Sequence, residues 1–135
     1  MTGTHSGPPL VRTLDLRDGQ RVWFDAMPEA VIDEIDEYAL ELVFISDPSE
    51  GLDAAHVFVT ELADLSAKLA TLRQQIAADG QVWVSWPEPS SGEPTDLDAD
   101  KIRAAAQPLG FVDTKEATVD PAWNSLKLVI RKELR

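Results

Sequence analysis

Two stretches decide the fold: Gly80-Gln-Val-Trp-Val-Ser-Trp-Pro87 and Ser125-Leu-Lys-Leu-Val-Ile-Arg-Lys132. The first reads as a buried strand over Gln81–Trp86, with Val82 and Val84 on one parity and Trp83 and Trp86 on the other once the strand bends. Pro87 stops its ladder, because proline has no amide to donate. The second stretch puts a strand over 126–132. It pairs with Phe111–Val119 across Asp120-Pro-Ala-Trp-Asn-Ser125, a spacing that suits an antiparallel hairpin.

Working back toward the start, the pattern alternates. Val11–Leu16 is a short extended or helical lead-in, and Asp18-Gly19 is a turn signal. Arg21–Phe24 reads as the first strand. Pro28 suits the first turn of a helix, where its missing N–H costs nothing, and Val31, Ile35 and Tyr38 recur at helical spacing. Leu40–Ile45 is the second strand and Ala55–Val59 the third. Thr60 caps the next helix, whose stripe is Leu62, Leu65, Leu69, Leu72 and Ile76. Asp79-Gly80 ends it, with glycine free to take positive φ. Asp96 or Asp98 caps a helix carrying Ile102, Ala105, Ala106 and Leu109, and Gly110 stops it.

Alternating strands and helices imply a mainly parallel sheet covered on both faces. The reading is therefore α/β: a Rossmann-like three-layer sandwich over residues 11–135, preceded by a disordered tail at 1–10. The loop from Ile45 to Ala55 is short for a parallel crossover, which takes about a dozen residues or more. It crosses as bare coil, or the second strand runs antiparallel at an edge.

Composition bounds the function. The chain has 135 residues, 44% hydrophobic and 27% charged, enough for one core. No apolar run reaches the roughly 18 residues of a membrane helix, and the polar start is not a signal peptide. With no cysteine there is no disulfide or thiolate chemistry. A bacterial-type cytoplasm fits. The net charge of −12 opposes phosphate backbones, so no nucleic-acid partner is expected. Between Met27 and Ala67 there is no Lys or Arg, which leaves an acidic face suited to solubility or to a basic protein partner.

The C-terminal block resembles a family of small bacterial domains, methyltransferase-like and of unknown function. The resemblance is carried by Val82-Trp-Val-Ser-Trp-Pro87, Ser91-Gly92, Thr95-Asp-Leu97, Leu109-Gly-Phe-Val-Asp113, Lys115, Val119-Asp120, Trp123, and Leu126-Lys-Leu-Val129 with Arg131. It covers most of the last 55 residues, while the N-terminal half matches in layout. In the family the Trp-Pro pair is followed by lysine; here Glu88 and Pro89 stand there. The resemblance implies a reduced S-adenosylmethionine-methyltransferase-like sheet with a C-terminal antiparallel hairpin, lacking the third strand and its helix. It implies no reaction.

Candidate site residues follow from that layout. S-adenosylmethionine enzymes of this fold need a glycine-rich turn after the first strand, so that backbone approaches the ligand. Here the turn is Asp25-Ala-Met-Pro-Glu-Ala30, without glycine, so no cofactor is expected. Asp47 stands near the acid that holds ribose hydroxyls in dinucleotide folds; it is also a turn former before Pro48. The cleft at the carboxyl ends of strands one and four would be lined by Asp25, Ser85, Trp86, Ser90, Ser91 and Thr95, a flat apolar surface beside hydroxyls. Trp86 could equally be core. No Gly-x-Ser-x-Gly elbow accompanies the serines. Lys115, Asp120 and Trp123 on the hairpin are a charge pair, an activated amine or edge guards. His5 and His56 make no metal site. The leading reading is a non-catalytic domain that binds a protein partner or small ligand. The alternative is a divergent methyltransferase or S-adenosylmethionine-type cofactor binder using the carboxyl-edge cleft.

Overall fold

The computed structural model describes residues 10–38 and 40–135. The tail proposed at 1–10 falls outside the described residues except for Leu10, which starts helix α1 (Leu10–Thr13) and is buried. The remaining elements are β1 (Arg21–Asp25), α2 (Glu29–Asp36), β2 (Val43–Phe44), β3 (Leu52–Phe58) and α3 (Leu62–Gln75). They continue with β4 (Ile76–Pro87), α4 (Ala99–Ala106), β5 (Phe111–Asp120) and β6 (Trp123–Ile130).

The strands form one sheet in the order β2-β1-β3-β4-β6-β5. β2, β1, β3 and β4 are parallel neighbours, and β6 runs antiparallel to both β4 and β5. One face packs Val57, Val82, Val84, Leu126 and Leu128 against Leu65, Leu69 and Leu72 of α3 and Ile102 and Ala106 of α4. The other packs Val22, Ala54, Phe58 and Trp83 against Leu10, Val11 and Leu14 of the N-terminal segment and Val31 and Ile35 of α2. This is the three-layer α/β sandwich. The strand period of two sorts each face. Trp86 stays on the parity of Val82 and Val84, so β4 does not bend as its sequence suggested.

Several boundaries differ from the sequence reading, for tertiary reasons. Helix α3 ends at Gln75, and Ile76 already has extended backbone with φ −76° and ψ 139°. Residues 77–80 then bulge, since Leu52 pairs Ile76 while Ala54 pairs Gln81. Gly80 is thus not a helix stop. A Cβ there would lie 2.8 Å from the Asp53 carbonyl oxygen, so glycine permits the close approach of two strands. The α3 cap is not Thr60 either: Asp96 Oδ1 accepts from Leu62 N at 2.8 Å, from far along the chain. Asp98 caps α4 through Lys101 N at 2.8 Å, as expected, and Gly110 ends the following 3-10 turn with φ +94°.

The second strand shrinks from the expected 40–45 to Val43–Phe44 and runs parallel. Among the described residues nothing pairs its outer edge, and Phe44 is 60% exposed, held by an edge-on contact with Phe24 at 5.7 Å. The short crossover holds because β2 is short. A 3-10 turn, Pro48–Glu50, carries the chain past β1, against α3, with no helix of its own.

Candidate functional site

The connection through α2 leaves β1 on one face, and α3 leaves β3 on the other. Their adjacent carboxyl ends form the switch point where open sheets bind ligands. Strands β1 and β4, expected to flank the cleft, are separated by β3.

At the end of β1 the chain turns through Ala26 at φ +57°, a left-handed conformation that favours glycine. Met27 is 9% exposed and packs into the α2-side core. Asp25 forms an ion pair with Lys68 of α3, and Lys68 reaches Asp64 at 3.1 Å. Burial favours the neutral amine of Lys68, but hydrogen bonds and charge from Asp25 and Asp64 outweigh it and raise its pKa above the usual lysine value. Lys68 was not foreseen. Its signals were its position ending the cation-free stretch and Asp64 four residues before it.

Asp47 is a turn former. Its Oδ1 accepts from Ser49 N at 3.0 Å and Ser49 Oγ at 2.8 Å. Those hydrogen bonds, the side-chain one foremost, lower its carboxyl pKa below the usual aspartate value.

Ser85 lines no cleft, whereas Trp86 borders a pocket of about 380 Å3 with Glu116, Ala117, Thr118, Asn124 and Ser125. Ser85 is fully buried and Trp86 is 6% exposed, on opposite faces of β4. Ser85 Oγ joins a buried polar row across three strands: His56 Nε2 at 2.7 Å on β3 and Ser125 Oγ at 2.6 Å on β6. His56 stacks on Phe58 at 4.6 Å, its Nδ1 has no hydrogen-bond partner, and burial pushes its pKa down to about 3. The row escaped the sequence reading because Ser125 enters only through the β4–β6 register, Ser85 opposite Ser125.

Ser90, Ser91 and Thr95 are exposed, with their hydroxyls spent locally. Ser90 bonds Glu88 Oε2, Ser91 Oγ accepts from Glu93 N at 3.2 Å, and Thr95 Oγ1 donates to the Thr60 carbonyl at 2.7 Å. With the Asp96 cap, that last bond ties the loop to the start of α3.

The hairpin candidates separate. Lys115 Nζ donates to the Thr13 carbonyl at 2.7 Å and lies 3.4 Å from Asp15, so it is neither Asp120's partner nor a free amine. Asp120 accepts from Ala122 N at 2.9 Å within the turn. Trp123 begins β6 rather than sitting in the connection, and meets Phe58 edge-on at 5.0 Å.

A groove opens on the α3 face of β1. It encloses about 340 Å3 between Trp23, Pro48, Lys68, Thr71, Leu72 and Gln75. Helix α3 forms one wall and the 3-10 turn, through Pro48, borders the other. Gln75 Oε1 is buried there without a hydrogen-bond partner. Among the described residues no group of His, Asp or Glu is arranged to hold a metal ion, and no helix is long and apolar enough to cross a membrane.

The fold is that of methyltransferases. A putative type 11 methyltransferase from Sulfolobus solfataricus aligns with 91% of this chain and 90% of its own, at 15% identity and TM-score 0.54. The CcbJ methyltransferase from Streptomyces caelestis aligns over 93% and 97% respectively, at 6% identity and TM-score 0.60. Aeropyrum pernix fibrillarin, whose structure holds natively bound S-adenosyl-L-methionine, aligns over 90% and 72%, at 11% identity and TM-score 0.55. At these identities the likeness is one of fold. No curated protein matches. Residues 13–132 match the family described as "Protein of unknown function (DUF3052)", and the chain belongs to that family.

Proposed function

We propose that this chain is a non-catalytic, methyltransferase-like binding domain that takes a small, largely apolar ligand in the groove beside Trp23. The observation that carries this reading is the turn after β1. Ala26 and Met27 stand where bare backbone would have to approach a methyl donor, and Asp25 is engaged by Lys68. A cofactor there would have to displace an ion pair and a core methionine. The groove beside Trp23 needs neither Asp25 nor Met27 to move, although Lys68 lines it as well. Its volume of about 340 Å3 falls in the range of small-molecule sites, and it combines an apolar wall with few polar groups.

A second reading has one observation in its favour. Ala26 at φ +57° keeps the left-handed backbone that a glycine would supply, so a divergent cofactor binder retains the path of the turn.

Calorimetry with S-adenosylmethionine and its demethylated product separates the two. The binding-domain reading expects no heat of binding. A micromolar dissociation constant, about −8 kcal/mol, overturns it and makes Asp25 a cofactor contact. Indole, titrated while backbone amide shifts are followed, tests the groove. Saturable shifts at Trp23 and 67–75 support it; shifts confined to Phe44 and the β2 edge refute it.

A further inference from the structure

The opposite rim of the sheet, at the amino ends of the parallel strands, carries a second cavity of about 440 Å3. Its charged and polar lining is Arg12, Arg17, Lys127, Asp15, Asp79 and Gln81. In a chain of net charge −12, three cations from two distant segments converge here.

The local fold explains the convergence. After α1 the chain reverses through Asp15 at φ +55°, a left-handed conformation uncommon outside glycine, asparagine and aspartate. The reversal brings Arg12, Asp15 and Arg17 to the lining of one pocket. The Asp15 carboxylate is held by Lys127 at 2.8 Å and Lys115 at 3.4 Å. Burial opposes its charge, but the two lysines prevail and lower its pKa below the usual aspartate value. Asp15 is thus a built-in counter-ion for the lysines. Both arginines are exposed and neither makes an ion pair among the described residues; Asp79 shares their pocket, and Arg17 acts at longer range on Asp53. Gln81 anchors the floor, its Nε2 donating to the Leu14 carbonyl at 2.7 Å, and Leu16 and Val129 add an apolar wall.

We propose that this pocket binds a small organic phosphate. Two exposed guanidinium forks on one pocket suit a tetrahedral dianion with three acceptor oxygens, where a carboxylate uses a single fork; Lys127 beside them is held by Asp15. The volume exceeds that of a bare anion, and Leu16 and Val129 offer contact to an organic body. A long nucleic-acid backbone is excluded by the acidic remainder of the surface. The pocket lies on the other rim from the Trp23 groove, so it stands or falls independently of that site.

The test is an amide-shift titration of the full chain with phenyl phosphate, with succinate and sodium chloride as comparators. Saturable shifts are expected at 12–17 and 127–129. Arg12→Gln and Arg17→Gln are each expected to weaken binding about tenfold, the usual worth of a charged hydrogen bond, with Tm unchanged because both side chains are exposed. Asp15→Asn keeps a residue that tolerates positive φ and removes the competing anion. It is expected to tighten binding about fivefold, the value of one unit charge a few ångströms away in water. Equal binding by all four chains means an adventitious ion only, and overturns the proposal, as does the absence of saturable shifts. Succinate binding as tightly as phenyl phosphate overturns the phosphate assignment. Should Asp15→Asn not fold, the two arginine variants decide.

Discussion

His56→Gln is expected to remove a defined part of the protein's acid sensitivity. The imidazole is buried between Phe58, Trp83 and Ser85, and burial alone pushes its pKa to about 3. In the unfolded chain it titrates near 6.5. Below that pH the unfolded state takes a proton that the native state refuses. Stability therefore rises with pH across the window from about 3 to 6.5, and is complete above it. The slope within the window is about 1.4 kcal/mol per pH unit. From pH 7 to pH 5 the loss is about 2 kcal/mol, a large share of the roughly 5–15 kcal/mol that holds a domain together. Asp15 and Asp53, held below the ordinary aspartate value of 3.8, also make the fold acid-sensitive, but their contribution is lost below this interval. The assay is urea denaturation of wild type and His56→Gln at pH 7 and pH 5. Gln is uncharged at both, so the variant is expected to lose about 2 kcal/mol less than wild type, whatever its own baseline. The same loss in both proteins refutes the reasoning, because it means that the native ring takes up its proton as readily as the unfolded one.

Leu69→Ala is expected to cost about 2–5 kcal/mol, since Leu69 is fully buried between α3 and the sheet; a loss near 0.5 kcal/mol, the usual size of a surface change, would mean the stripe is not core. Gly80→Ala is expected to cost about 1–3 kcal/mol, because its Cβ would meet the Asp53 carbonyl at 2.8 Å and Ile76 Cγ1 at 2.7 Å; thermal denaturation showing no change would place the bulge elsewhere. Ala26→Gly is expected to stabilise by about 0.5–1 kcal/mol, the relief of left-handed strain less the extra entropy of glycine; a destabilised variant would mean that the turn does not carry its φ of +57° in solution.

The elements that rest on local periodicity were legible in the chain itself. The Leu65, Leu69 and Leu72 stripe specifies α3, because 3.6-residue spacing builds one apolar face whatever the helix packs on. Two strands with turn residues and no helix between them specify the β5–β6 hairpin, since antiparallel neighbours need only a short connection. What depended on distant partners was not legible. Ser85 looked like a cleft residue because β4 does not encode which strands will flank it; between β3 and β6 it is fully buried beside His56 and Ser125. Asp79-Gly80 looked like a helix stop because glycine signals positive φ as often as a close approach, and the approaching Asp53 carbonyl lies far back in the chain. Asp96 caps a helix that begins 34 residues earlier, and Asp25 finds Lys68 across a layer. Side-chain periodicity is a property of neighbours along the chain, so sequence alone determined the order and kind of the main elements. Burial, ion pairing and the shape of cavities are properties of neighbours in space. Only the tertiary structure could decide that Ser85 is core, and that open space lies beside Trp23, beside Trp86 and around Arg12 and Arg17.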